Sequence, residues 1–164
     1  SYNGSTVAPT SPGNYLVEAT VNDPNHAGQA ADTLIIEAAN SWHAWSLAHF
    51  TQEEIGSGNA NSAADPDADS LTNFAEYALG TNPKSFTPPM APVRDEGGLS
   101  ITFARPAGLP GVLYTAESSS DLGVWKPLPL QVISPGDPET VRVQDPLTQG
   151  DPGRRFIRLS FATP

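Results

Sequence analysis

The chain contains no cysteine, which removes disulfides, thiolate metal sites and thiol redox chemistry from consideration. Export is still open to it, with stability supplied by packing and bound metal. Cations are scarce: 8 Lys and Arg face 18 Asp and Glu, for a net charge of −10. That balance argues against nucleic acid and anionic membrane surfaces as partners. No run of eighteen apolar residues occurs, so membrane insertion is not expected. Catalytic signatures are equally sparse. Ser118, Ser119 and Ser120 precede Asp121, but no Gly-x-Ser-x-Gly elbow frames them. Neither a His-Glu-x-x-His motif nor a glycine-rich phosphate loop is present. The expectation is a protein that is not an enzyme.

At 164 residues the chain has room for one medium domain or two small ones. Its 14 glycines and 17 prolines suit loop-rich β structure. It begins at Ser1 without Met or a signal sequence, and so reads as a processed product or a piece of something longer.

The strongest local pattern is Asp65-Pro66-Asp67-Ala68-Asp69-Ser70-Leu71-Thr72-Asn73-Phe74-Ala75-Glu76. Acids fall at positions one, three, five and twelve of a twelve-residue loop, the spacing of an EF-hand calcium site. A hard cation needs six or seven oxygens, and a short loop supplies them by turning alternate side chains inward. Asp65, Asp67 and Asp69 would give carboxylate oxygens and Leu71 its carbonyl. Asn73 would ligate directly or through water, and Glu76 would reach back with both oxygens. The alternative is a solvated acidic turn. The sixth position normally takes Gly for its left-handed backbone, and Ser70 there costs on the order of 1 kcal/mol. Pro66 offsets part of this by stiffening the loop. The following helix is expected to bury Leu71, Phe74, Ala75, Ala78 and Leu79, with Glu76 off that face. Gly80 caps it and Pro83 follows. A lone hand lacks a partner with which to open a groove, so the calcium reads as structural rather than signalling.

Ahead of the loop, Asn14–Asn22 alternates as a half-buried strand with Tyr15, Val17, Ala19 and Val21 on one face. Asp23-Pro24-Asn25-His26 turns the chain, and Gly28–Glu37 returns as a second strand. A lone hairpin is marginal in water, so this pair must pack on something else. Ser41–Phe50 has helical spacing, and Thr51 with Glu54 forms a capping box for a second helix. Trp42 and Trp45 read as core staples between the β unit and the calcium helix, with a sugar platform as the alternative. His43 and His49 are badly spaced for one helix face and His26 is remote, so all three read as packing or exposed residues. Gly56–Ala64 is expected to be a flexible approach to the acidic loop, and 81–98 a semi-rigid proline-rich linker. Beyond it, Leu99–Ala104, Val112–Ser118, Gln131–Ser134, Glu139–Gln144 and Arg155–Phe161 read as strands, with Trp125–Pro127 as an optional sixth. Gly and Pro turns between them point to a small antiparallel sandwich with Trp125 as its core tryptophan.

Two stretches resemble known families. YNGS and APTSPGNYLVEATVNDPNHAG followed by TLII, within residues 2–36, resemble the C-terminal half of MBG/YDG-type β-rich repeats of large bacterial surface proteins. That likeness implies a β unit lacking its first half, either cut away or donated by another molecule. WHAWSLAHFTQEE, DPDADSLTNFAEYALGTNP, GGLSITFARP, VLYTAESSSDLGVW and RRFIRLSF, over about residues 42–161, resemble a C-terminal module of large secreted bacterial proteins. This second likeness implies a calcium loop of dockerin or thrombospondin type-3 character leading into a terminal β-sandwich. Glycine usually stands there where this chain has Ala68 and Ser70, a departure that bears on affinity.

The combined expectation is a mainly β, Ig-like chain in three parts. Residues 1–38 form a partial β unit, 39–90 the helical calcium-loop segment and linker, and 91–164 a C-terminal antiparallel β-sandwich. Its expected role is an extracellular, calcium-stabilised structural or adhesive module. Self-association into a head-to-tail filament by strand complementation is expected, with calcium setting the angle between the β units. The alternative is an accessory region of a secreted hydrolase that binds polysaccharide or anchors the enzyme, with Tyr77, Tyr114 and Trp125 as candidate sugar contacts. A sorting tail is a third reading.

Overall fold

The computed structural model describes residues 1–146 and 153–163. It divides into two compact units, Ser1–Ala44 and Trp45–Pro164. In the first, β1 (Gly13–Thr20) and β2 (Gln29–Ile36) pair antiparallel without a bulge, from Gly13 opposite Ile36 to Thr20 opposite Gln29. The turn is closed by Val21 N–H donating to Gly28 O at 2.8 Å and Asn25 N–H to Asp23 Oδ1 at 2.8 Å. Tyr15 and Val17 lie half-buried on one face, as their alternation predicts. The other edge of β1 is lined by the first residues of the chain. Asn3 N–H donates to Leu16 O, Leu16 N–H to Asn3 Oδ1 and Glu18 N–H to Ser1 O. No residue of this unit is fully buried.

Helix α1 (Trp42–His49) spans the division between the units. In the second unit α2 (Gln52–Ser57) starts at the expected capping box: Glu54 N–H donates to Thr51 Oγ1, and Glu54 Oε2 accepts from Thr51 N–H. Helix α3 (Asn73–Leu79) begins after the acidic loop, with Thr72 as its N-cap and Gly80 (φ 71°) as its left-handed C-cap. A Cβ at Gly80 would come within 2.8 Å of Pro106, so glycine is needed for space as well as for φ.

Among the described residues seven strands follow: β3 (Val93–Asp95), β4 (Gly98–Arg105), β5 (Leu113–Ser119), β6 (Lys126–Leu128), β7 (Leu130–Ser134), β8 (Glu139–Pro146) and β9 (Phe156–Ala162). They make two antiparallel sheets in the orders β3-β4-β8-β7 and β6-β5-β9. Ile101 and Phe103 of β4 face Val143 and Val141 of β8 in register, because period-two alternation sends all four to one side. With Ala116 of β5 and Leu79 of α3 they form the core, and Ile157, Leu159 and Phe161 of β9 pack against it. The chain is therefore mainly β, with antiparallel sheets and short helices, as its turn-punctuated alternation implies.

Several local expectations change. Residues 81–98 are not a free linker: Pro83 is buried, Met90 packs on the core and β3 pairs with β4. Gly56–Ala64 is likewise folded, with Ala60 buried and Gly58 capping α2. Trp125 lies outside the core. It is half-buried, its ring is covered by the Arg158 guanidinium at 4.0 Å, and its Nε1 donates to Leu122 O at 3.2 Å. A three-strand sheet edge and a following loop give the large indole too little cover, and the smaller β-branched residues of β8 fill the centre instead.

Candidate metal centre

The loop between α2 and α3 turns sharply at two positions, Ala68 (φ 60°) and Ser70 (φ 76°), both in the left-handed region. These are the positions where a glycine would be free of strain. Carboxylates stand in for that missing freedom by tying down backbone donors. Asp69 N–H donates to Asp65 Oδ1 at 3.2 Å and to Asp67 Oδ1 at 3.3 Å, Ser70 N–H to Asp65 Oδ2 at 3.0 Å, and Leu71 N–H to Asp69 Oδ1 at 2.8 Å. The result brings one oxygen from each of Asp65, Asp67 and Asp69 to within 4.8 Å of one another. Three like charges at that spacing repel, and such an all-oxygen set can hold a metal ion.

Glu76 stands differently from the sequence expectation. Its side chain does not lie off the buried face of α3; it is on it, as is that of Asn73. Both residues are 0% exposed, alongside Tyr77 and Ala78, while Phe74 and Ala75 are only half-buried and Leu71 precedes the helix. Glu76 Oε1 accepts from Thr81 Oγ1 at 3.3 Å, whereas its Oε2 is buried without a hydrogen-bond partner. Burial, and then the charges of Asp67, Asp69 and Asp65, push its pKa up to about 7. The carboxyl therefore feels the charge of the aspartate triad, although the oxygens within 4.8 Å of one another are those of Asp65, Asp67 and Asp69 alone. Asn73 Nδ2 donates to Asn59 O and Asn61 O, both at 2.8 Å, which leaves Oδ1 as a buried acceptor without a partner. Asp67 Oδ2 is a third orphaned oxygen. Buried polar atoms in native proteins are almost always satisfied, and three acceptors without donors on one loop and its helix are what a cation would satisfy.

Asp69 has a second duty that the sequence did not reveal. Its Oδ2 accepts from Thr87 N–H at 2.7 Å, and so ties the acidic loop to the segment that leads into β3. Lys84 of the same segment bridges Glu54 at 2.7 Å and holds that carboxyl down at about 2. Residue spacing gives no signal for either contact. The ring of Trp45 meets Tyr77 at 5.8 Å and Phe50 at 6.1 Å, so this tryptophan staples the end of α1 onto α3.

Other candidate sites are less ordered for chemistry. Ser119 Oγ accepts from Asp121 N–H and Leu122 N–H and donates to Asp121 Oδ1, so it closes a turn. His43 and His26 are exposed, each beside a neighbouring carboxylate, Glu37 and Asp23. Burial lowers the pKa of His49. The three aromatics considered for sugar stacking form no open platform. Tyr77 is 1% exposed, Arg105 covers the half-buried Tyr114 ring at 4.2 Å, and Arg158 covers Trp125.

Residues 1–40 match the family model of the MBG domain, which occurs in bacterial surface proteins. No family model is assigned to the rest of the chain, the acidic loop included. Neither a curated protein nor a solved structure matches. Among the described residues no helix is long and apolar enough to cross a membrane.

Proposed function

We propose that this chain is a non-enzymatic, calcium-stabilised structural module of a bacterial surface protein. The observation that carries the reading is the Asp65, Asp67 and Asp69 triad together with the orphaned buried oxygens of Asp67, Asn73 and Glu76 on the same loop and its helix. Oxygen-only donors, four carboxylates and the one-three-five-twelve spacing favour calcium over softer metals. Asp65, Asp67, Asp69 and Glu76 would hold the ion, with the Asn73 amide and the Leu71 carbonyl completing the shell. Bound there, calcium supplies charge neutralisation and no reaction chemistry. It would tighten the loop onto α3 and, through Asp69 and Thr87, onto the segment before β3. The matched MBG region supports an extracellular or cell-surface setting. The thin, coreless β1-β2 pair supports assembly with other copies or domains, by strand complementation into a filament or adhesive stalk.

The test is thermal unfolding of the purified chain in calcium and in excess chelator, with solution mass followed by light scattering in both. Calcium should raise the melting temperature, and Asp65→Ala or Glu76→Ala should erase that gain. Equal melting in calcium and chelator would end the metal reading. A clean 17.2 kDa monomer at every concentration would end the filament reading.

A further inference from the structure

From the pairing geometry of the first unit, we infer that the free edge of β2 is an acceptor for an extended polypeptide segment carrying Lys or Arg, with Asp32 as its reader. This deepens the strand-complementation part of the reading above and rests on it, while being independent of the metal.

Register and hydrogen bonding together fix which β2 residues face the open edge. Leu16 and Glu18 turn their backbone groups toward the N-terminal residues, as their bonds with Asn3 and Ser1 show. Their antiparallel partners Thr33 and Ala31 must then turn theirs away from β1. Gln29 and Ile35 follow by alternation. Among the described residues no strand pairs with that side of β2. The edge is eight residues long, free of bulges, and holds neither proline nor lysine. It therefore lacks most of the devices by which proteins blunt an edge. Seven of its eight residues are exposed, Ile35 at 62%.

One device is present, and it is specific. Thr33 N–H, in the middle of the edge, donates to the carboxylate of its own neighbour Asp32 at 2.7 Å. An incoming strand would offer a carbonyl to that N–H and release the exposed Asp32 carboxylate, which a cationic side chain on the strand would then pair with in preference to a neutral or acidic one. Residues 1–44 contain Glu18, Asp23, Asp32 and Glu37 but no Lys or Arg, so no such side chain within this unit competes for that pairing. Pairing of β2 with a second β2 is disfavoured on the same grounds. Antiparallel registers that match outward groups set Asp32 opposite Asp32, set it against Leu34, or shorten the overlap. The acceptor edge thus prefers a basic strand to its own copy.

The probe is a pair of eight-residue peptides of alternating Thr and Val, one with Lys and one with Glu at its centre, titrated into the full chain at low salt. The Lys peptide should bind roughly five- to tenfold more tightly, with the preference fading as salt rises. The amide signals of Ala31 and Thr33 should shift while those of Leu16 and Glu18 stay. Asp32→Asn should abolish the preference and Asp32→Lys reverse it. Ala31→Pro, which removes an outward N–H unused by β1, should block both peptides while leaving the β1-β2 amide pattern in place. Equal binding of the two peptides, or full binding to Ala31→Pro, would overturn the inference. No binding by either peptide would overturn it together with strand addition at this edge. Neither result bears on the calcium-dependent melting, so the metal reading stands or falls separately.

Discussion

The two units are built from the same kind of alternating β sequence and end in opposite conditions. β1 alternates as cleanly as β4, yet its partners leave Tyr15 and Val17 half-exposed, whereas Ile101 and Phe103 disappear between two sheets and α3. Alternation therefore specifies which face is apolar; it does not supply the second layer that covers it. The unit with two sheets carries a core and a charged loop whose strain and repulsion it can sustain. The unit with one hairpin carries neither, and its exposed edge is its most specific feature. Stability concentrates in one and recognition in the other.

The comparison is broken most severely by removing the centre of the closed unit. Tyr77→Ala deletes a 1% exposed ring that meets Trp45 edge-on and whose hydroxyl donates to Pro110 O at 3.3 Å. It should cost about 3–5 kcal/mol in urea unfolding. Tyr15→Ala in the open unit should leave that same transition in place.

Next in size is the metal effect. At calcium a hundredfold above its dissociation constant, the second unit should gain about 2.7 kcal/mol. Glu76→Gln should remove most of that gain while stabilising the metal-free protein at pH 8, because it deletes a charge that burial and the aspartates both disfavour. The pH dependence has a definite sign. Glu76 is raised in the fold from 4.5 to about 7, so the metal-free unit loses stability as pH climbs from 4.5 through 7 and then levels off. Melting in chelator should accordingly rise as pH is lowered from 8 to 5. In calcium the trend should invert, since protons then compete with the ion. Parallel slopes in both buffers would separate Glu76 from the metal.

A smaller change sharpens the contrast from within the loop. Ser70→Gly and Ala68→Gly relieve left-handed backbone at φ 76° and 60°, and each should add about 1 kcal/mol and tighten calcium binding. Smallest of all, Leu16→Ser or Ile35→Ser on the exposed faces of the hairpin should move calorimetric stability by less than about 0.5 kcal/mol. A large loss there would mean that the hairpin faces are covered in solution.

Much of the architecture was legible in the sequence because it is written in short-range signals. Gly and Pro punctuation located the strands of the second unit to within a residue or two, apart from β3, whose three residues carry no periodicity. The Thr51–Glu54 capping box and the Gly80 cap were equally readable. The acid spacing identified the aspartates that come together, since neighbours along a turn cannot avoid one another. The helical wheel of α3 misled, because it ranked residues by hydropathy alone. Asn73 and Glu76 are polar, yet each is buried with at least one protein hydrogen-bond partner: Asn59 O and Asn61 O for Asn73, Thr81 Oγ1 for Glu76.

What the sequence determined alone is the set of local choices: where strands alternate, where the chain must turn left-handed, and which oxygens crowd one loop. Tertiary structure decided everything that depends on distance along the chain. It buried Glu76 and left one of its oxygens without a donor, tied Asp69 to Thr87, moved Trp125 out of the core, and, among the described residues, left the far edge of β2 without a strand. The physical reason is that backbone geometry is set by near neighbours, whereas desolvation is set by whatever the folded chain happens to lay on top.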